Sequence, residues 1–156
     1  MKYNLFLIIV FFGLQACESQ VEYAILKEPE IVRELISYKS IPESAKLSNL
    51  TSGEFDLVLK LINESIRDYN AKVKEGFREN GHPDRARRYI IKKLKNYKIQ
   101  IVTYLNAKGE KEVWINGLCD TWDADWTKGV IYVFDVGNCY FNIKINLDTK
   151  ECLAIG

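Results

Sequence analysis

The sequence predicts an α+β fold, in which one long helix packs on a curved antiparallel meander of four to five strands. The first observation behind this prediction is a stretch from residue 51 to about residue 75 where apolar residues recur at helical spacing. The second is a set of segments after residue 96 in which apolar and polar residues alternate with the period of a strand. The helix precedes the strands, an order that places it on one face of their sheet.

Composition supports a single globular domain. The chain has 156 residues, of which 47% are hydrophobic and 28% charged, as in an ordinary folded protein. The formal net charge of +1 argues against general nucleic-acid binding. No long apolar run follows the N-terminal one, so no further membrane span is expected.

The N-terminal residues carry a signal-peptide pattern. Lys2 precedes an apolar run from Leu5 to Leu14, which is too short for a comfortable membrane span. The run ends in Leu-Gln-Ala-Cys at Cys17, a motif that resembles the lipobox of bacterial lipoproteins. That resemblance implies cleavage before Cys17, lipidation of Cys17 and a signal peptide at residues 1–16. Several acyl chains together give stable membrane anchoring.

The same resemblance implies a bacterial cell envelope location, with the lipid at Cys17 held in a membrane. Glu18 stands where an Asp would resemble an inner-membrane retention signal, so the outer membrane is favoured over the inner one. We expect residues 17–50 to form a tether and a loosely structured segment. Within it, Pro29 marks the start of a short helix that Ile41-Pro42 ends.

The single domain is expected to span residues 51–156 and to begin with the long helix. Thr51 and Glu54 form a capping-box pattern, and Gly76 is placed to end the helix in a left-handed cap. The expected buried stripe consists of apolar and aromatic side chains: Phe55, Val58, Leu59, Ile62, Ile66, Tyr69 and Val73.

A second, shorter helix is predicted from Pro83 to about Lys95, and it is strongly basic. The stretch from Lys72 to Lys98 contains ten basic residues and only three acidic ones. The helical spacing of four of them predicts a patch for an acidic protein partner or anionic lipid headgroups: Arg85, Arg88, Lys92 and Lys95. A solvated helix face is the alternative interpretation.

Five strands are predicted after the helices, at 97–105, 111–119, 130–136, 139–147 and 151–155. The clearest pair is the hairpin formed by 130–136 and 139–147, with Gly137-Asn138 as its two-residue turn. The order of these elements resembles cystatin-like and NTF2-like folds. Together with Trp114–Asn116, the tract from Gly137 to Leu147 is similar to small Bacteroidota lipoproteins of unknown function.

Three cysteines remain after Cys17, and an oxidising envelope permits a disulfide. In a flat meander with the predicted strands, Cys119 and Cys152 lie about 14 Å apart, beyond the roughly 7 Å that a bridge allows. We therefore expect buried free thiols, or a Cys119–Cys152 bridge if the sheet curls. Neither a metal site nor a cofactor is predicted, since the cysteines show no zinc-ligand spacing.

One predicted loop is both aromatic and acidic, and it contains Trp122, Asp123, Asp125 and Trp126. Its side chains could bind calcium or a sugar. The alternative is a solvated loop in which the tryptophans serve as anchors. No catalytic motif is present, and the single histidine, His82, stands in a polar break. The sequence therefore predicts a non-catalytic binding or inhibitory module. The alternatives are an accessory envelope subunit that contacts lipid headgroups, and a small hydrolase that uses Asp123 or His82.

Overall fold

The computed structural model describes residues 21–133 and 137–156, and it shows an α+β fold with an open mixed sheet. The strands are β1 (Glu22–Ile25), β2 (Lys46–Leu47), β3 (Lys98–Leu105), β4 (Lys111–Leu118), β5 (Tyr140–Asn146) and β6 (Glu151–Ile155). The helices are α1 (Pro29–Ser37) and α2 (Ser52–Glu79). Short 3-10 helices occupy Pro83–Arg88, Leu94–Asn96 and Gly137–Cys139.

The sheet order is β1-β3-β4-β5-β6, with β2 paired to β3 beyond the end of β1. From β3 to β6 the strands form the predicted antiparallel meander. β1 runs parallel to β3, and its first residue, Glu22, pairs with Lys98. This parallel pair makes the sheet mixed, and the sequence analysis did not foresee it.

The predicted hairpin between 130–136 and 139–147 is wrong in its first strand. Residues 130–133 are not a strand, and residues 134–136 lie outside the described part of the chain. β5 pairs directly with β4 instead, and Gly137-Asn138 belongs to a 3-10 helix. Val130 and Tyr132 are partly buried because they pack against the core on one face of the sheet. Apolar and polar residues therefore alternate here although the segment does not pair as a strand, and this alternation led to the wrong prediction.

The segment expected to be loosely structured, 17–50, supplies β1, α1 and β2 from residue 22 onward. α1 covers part of one sheet face, and its three buried residues, Ile31, Val32 and Leu35, contribute to the core there. The boundary predicted at residue 51 therefore does not separate a tether from the domain. The short helix starting at Pro29 is confirmed.

The long helix is confirmed, and it packs on the face opposite α1. Thr51 and Glu54 form the predicted capping box. The fully buried helix residues are Val58, Leu61, Ile62 and Ile66, which lie against apolar side chains of β3, β4 and β5. Gly76 does not end the helix, because α2 continues to Glu79 with Asn80 as its cap.

The second predicted helix is wrong as a continuous element. Between Pro83 and Lys95 the chain forms the 3-10 helix Pro83–Arg88, a stretch without regular structure, and the start of the next 3-10 helix. Two hydrogen bonds with Asn70 of α2 fix the backbone of Ile91 in this stretch. No helix within residues 21–133 and 137–156 combines the length and the apolar character needed to cross a membrane.

Candidate functional site

A cleft lies on the sheet face opposite α2, beyond the area that α1 covers. Its volume is 510 Å³, within the range of small-molecule sites, roughly 300–1,000 Å³. The chain that follows α1, strands β4 and β5, and residues 131–133 form its walls. The side chains used below are Tyr38, Ser40, Asn116, Tyr132, Tyr140 and Asn142.

A row of side-chain amides crosses three strands next to this cleft. Gln100, Asn116 and Asn142 occupy paired positions on β3, β4 and β5. Asn116 Nδ2 donates to Gln100 Oε1 at 2.9 Å, and Asn142 Nδ2 donates to Asn116 Oδ1 at 2.8 Å. Gln100 and Asn116 are buried, so these bonds provide hydrogen-bond partners for amide groups that water cannot reach.

The amide row also holds the irregular chain between β4 and β5 across the sheet face. Gln100 Nε2 donates to the carbonyls of Trp126 and Gly129, both at 2.6 Å. Ile131 donates its N–H to Gln100 Oε1, and its carbonyl accepts from Asn116 Nδ2 at 2.8 Å. Four bonds from two buried side chains therefore position residues 126–131, which lead into the wall of the cleft.

Two tyrosines form an aromatic wall. The rings of Tyr38 and Tyr132 lie 4.1 Å apart between centroids, and Tyr38 is exposed. The hydroxyl of Tyr132 is buried and has no hydrogen-bond partner within the described residues. Burial, the nearby Glu34 carboxylate and Tyr38 raise the pKa of Tyr132, so its hydroxyl stays protonated and able to donate.

Hydrogen-bonding capacity remains in the cleft after the internal bonds are counted. Asn142 is exposed and uses one N–H of its amide, which leaves its second N–H and its oxygen free. Ser40 Oγ and Tyr132 Oη form no hydrogen bond with any described residue. The cleft therefore combines ring surfaces with free amide and hydroxyl groups, a set that can bind a ligand.

A narrower groove of 280 Å³ continues from the cleft along β5 and β6. It shares Ser40 and Asn142 with the cleft, and it adds two basic residues, Lys39 and Lys144. Among the described residues that line the cleft, none has a charged side chain, so the two regions differ in the ligands they would favour.

The predicted loop site does not bring its four residues together. Asp125 forms an ion pair with Lys128 at 2.7 Å, and this contact, followed by hydrogen bonds from Thr127, lowers the pKa of Asp125 to about 2. Trp122 stacks on Tyr140, with ring centroids 5.3 Å apart, while Trp126 lies beneath Lys98. Asp123 is exposed. Across the described residues, no group of three or more His, Cys, Asp or Glu could hold a metal ion.

The predicted basic patch is exposed but does not lie on one helix face. We call residues 85–98 the basic segment. Its exposed cations are Arg85, Arg87, Arg88, Lys92, Lys93 and Lys95, and none of them forms an ion pair with a described residue. Asn138 Nδ2 donates to the carbonyls of Arg87 and Ile90, so side-chain amides hold this irregular segment on both sides.

The cysteine prediction is corrected by the pairing of β4 with β5. Cys119 and Cys139 follow and precede these strands, their Cα atoms are 5.1 Å apart, and they form a disulfide. Cys152 is a free, exposed thiol and neither buried nor bridged to Cys119. Cys17 lies outside the described residues. His82 is exposed and remote from the lining of the cleft.

The sequence analysis missed the cleft residues Gln100, Asn116, Asn142, Tyr38 and Tyr132. One signal was available, because three predicted strands each carry an amide on the face away from the long helix. Their alignment depends on the correct strand order, which the sequence did not establish. Comparisons with protein-family models, with curated proteins and with solved structures find no match to this chain.

Proposed function

We propose that this protein is a lipid-anchored, non-catalytic binding module of the bacterial cell envelope. The Leu-Gln-Ala-Cys motif ending at Cys17 supports the anchor, through its resemblance to a lipobox. The residue after it, Glu18, favours the outer membrane. The lipid would attach the chain to the membrane and leave the folded domain free to bind a partner.

The cleft beside the amide row is the proposed binding surface. One observation carries this assignment: a concave surface of 510 Å³ retains unused donors and acceptors beside the exposed ring of Tyr38. A binding role is preferred to catalysis because no His, Cys, Asp, Glu or Lys is among the described side chains that line the cleft.

The test of the module is native mass spectrometry of the full lipoprotein with the low-mass fraction of its native envelope. We expect a non-covalent adduct that is lost in Asn142→Trp, which fills the cleft. The matched control is Asn63→Trp, on the exposed side of α2, which should retain the adduct. An adduct that survives Asn142→Trp, or no adduct at all, would contradict the proposal.

The anchor has its own test, the intact mass of protein purified from membranes. We expect residues 1–16 to be absent and the mass of lipid to be added at Cys17. Cys17→Ala should abolish the added mass and release the protein from the membrane. Unmodified protein that retains its first sixteen residues would overturn the proposed location.

The finer fold comparison is also a proposal. The long helix across one face of an antiparallel meander supports a relationship to cystatin-like or NTF2-like domains. A cystatin-like relationship would favour an inhibitory module. An experimental structure that superposes α2 and β3–β6 on either fold tests it, and a different strand connectivity would exclude it.

A second candidate function is contact of the basic segment with anionic lipid headgroups. The observation that favours it is the position of β1, whose first residue, Glu22, pairs with Lys98 at the end of the basic segment. Only four residues separate Cys17 from Glu22, so the chain between them spans at most about 17 Å. A lipid on Cys17 would therefore hold Lys98 close to the bilayer.

Lysine footprinting of the reconstituted lipoprotein tests this second function. Lys92, Lys93 and Lys95 should be protected from acetylation in nanodiscs with phosphatidylglycerol, but not in pure phosphatidylcholine, and salt should reverse the protection. Four exposed lysines elsewhere serve as controls: Lys27, Lys46, Lys60 and Lys108. Equal labelling in both lipids would exclude headgroup contact.

A further inference from the structure

The lining of the cleft restricts the charge of its ligand. None of the described side chains that line the cleft carries a charge at neutral pH, although the chain is 28% charged residues. An ionic ligand would lose its hydration there without gaining an opposite charge. The cleft therefore favours a neutral ligand, in contrast to the neighbouring groove with Lys39 and Lys144.

The polar groups in the cleft favour a ligand with many hydroxyls. Asn142 offers one free N–H and a free oxygen, and Ser40 offers a hydroxyl that can donate and accept. These groups match ligand hydroxyls, which also donate and accept.

The aromatic wall supplies the complementary apolar surface. Tyr38 and Tyr132 form a joined pair of rings, and Tyr38 is exposed. Tyr140 lies on another side of the cleft, and Trp122 stacks on its ring. A sugar ring has faces of C–H groups and a rim of hydroxyls, so it can pack on such rings while its rim meets amides and hydroxyls.

We propose that the cleft is a binding site for a neutral saccharide. This inference rests on the proposed binding function and names the ligand class. Sugar C–H groups would pack on Tyr38, and sugar hydroxyls would bond to Asn142 and Ser40. The continuation of the cleft along β5 and β6 gives room for an oligosaccharide rather than a single sugar.

Titration calorimetry of the full lipoprotein tests the proposal, with maltohexaose, cellohexaose and xylohexaose as separate probes. The detergent must be zwitterionic, since glycoside detergents carry sugar headgroups. We expect saturable binding of at least one probe. Tyr38→Ala should weaken it about 10-fold, and Ser40→Ala about 5-fold, as for loss of one hydrogen bond.

The choice of variants allows loss of binding to be distinguished from loss of folding. Ser40→Ala removes a hydroxyl that forms no hydrogen bond with a described residue, so the fold should persist. Tyr89→Ala is the matched control, because Tyr89 is exposed like Tyr38 but stacks on Phe77, away from the cleft. Binding of the sugars should be unchanged in Tyr89→Ala.

Further probes separate this inference from the proposed function. Trigalacturonic acid is a charged sugar, and a capped glycine-serine hexapeptide is a neutral ligand that is not a sugar. Preference for either of them would overturn the neutral saccharide class. If no sugar binds but Asn142→Trp still abolishes the envelope adduct, the proposed binding function is supported and the proposed ligand class is wrong. If both fail, the binding module is wrong as well.

Discussion

Gly117 of β4 lies directly beneath the ring of Phe141 on β5. The two residues pair across the strands, and a Cβ on Gly117 would overlap the ring. Phe141 is buried in the core under α2 and cannot move aside freely. We expect Gly117→Ala to lower the free energy of unfolding by about 2–3 kcal/mol, measured by urea denaturation.

The control for this variant is Gly76→Ala in α2. A Cβ at Gly76 meets no atom within 4 Å, and helical alanine is favoured over glycine by about 0.5–1 kcal/mol. This variant should therefore be slightly more stable than the wild type. A Gly117→Ala protein of unchanged stability would show that β4 and β5 are not packed as described.

The ion pair between Glu54 and Lys111 predicts a loss of stability in acid. Lys111 Nζ lies 2.6 Å from Glu54 Oε1 at the start of α2. The hydrogen bond from Lys111, followed by the one from the Thr51 N–H, lowers the pKa of Glu54 to about 2. Its pKa is ordinarily 4.5, so the folded state binds this proton less tightly than the unfolded state. The stabilisation is complete above pH 4.5 and is lost as the pH falls towards 2.

Glu54→Gln measures this contribution. At pH 7 we expect a loss of about 1–2 kcal/mol, because the pair is partly exposed and solvent screens it. The difference from the wild type should shrink steadily below pH 4.5 in a series of thermal melts. Asp56→Asn, an exposed change two residues along the helix, is the control for removing a carboxylate near the start of α2.

The disulfide between Cys119 and Cys139 should stabilise the domain. It closes a loop with a sequence separation of 20, and the resulting restriction of the unfolded chain stabilises the folded state by about 3 kcal/mol. Replacing both cysteines by serine, or adding a reducing agent, should lower the melting temperature. Cys152→Ser should melt like the wild type, because this thiol is free and exposed. Sensitivity to reductant that instead required Cys152 would contradict the pairing.

The Asn70 side chain should be needed for the order of the basic segment. It donates to the Ile91 carbonyl at 2.8 Å and accepts from the Ile91 N–H at 2.9 Å. Asn70→Ala leaves both groups of a buried residue unpaired, at a cost of about 1–3 kcal/mol. Hydrogen exchange at residues 89–93 should increase. Asn63→Ala, whose side chain bonds to Leu59 within α2, should not affect these amides.

The sequence predicted the elements whose signals are local. The capping box at Thr51 and the alternation in β3, β4 and β5 each lie within one segment, so they could be read without knowledge of the partner. The pairing of β1 with β3 could not, because Glu22 and Lys98 are far apart in the chain and β1 has only four residues. Periodicity gives the face of a strand but not its neighbour.

The candidate site was hidden for the same reason. Gln100, Asn116 and Asn142 form a row only when β5 lies beside β4, and the predicted hairpin inserted another strand between them. That error also separated Cys119 from Cys139. Tyr38 and Tyr132 belong to segments without regular structure, after α1 and before β5, whose positions depend on tertiary bonds rather than on local pattern.

The pairing of Gly156 with Asn142 affects how the protein should be handled. Gly156 donates to the Asn142 carbonyl at 3.0 Å and accepts from its N–H at 2.7 Å, and it also lines the cleft. A bulky group attached next to Gly156 would therefore begin beside the cleft and would obstruct ligands. The turn around Gly109, at the opposite end of the β3–β4 pair, is a better insertion point for any reporter.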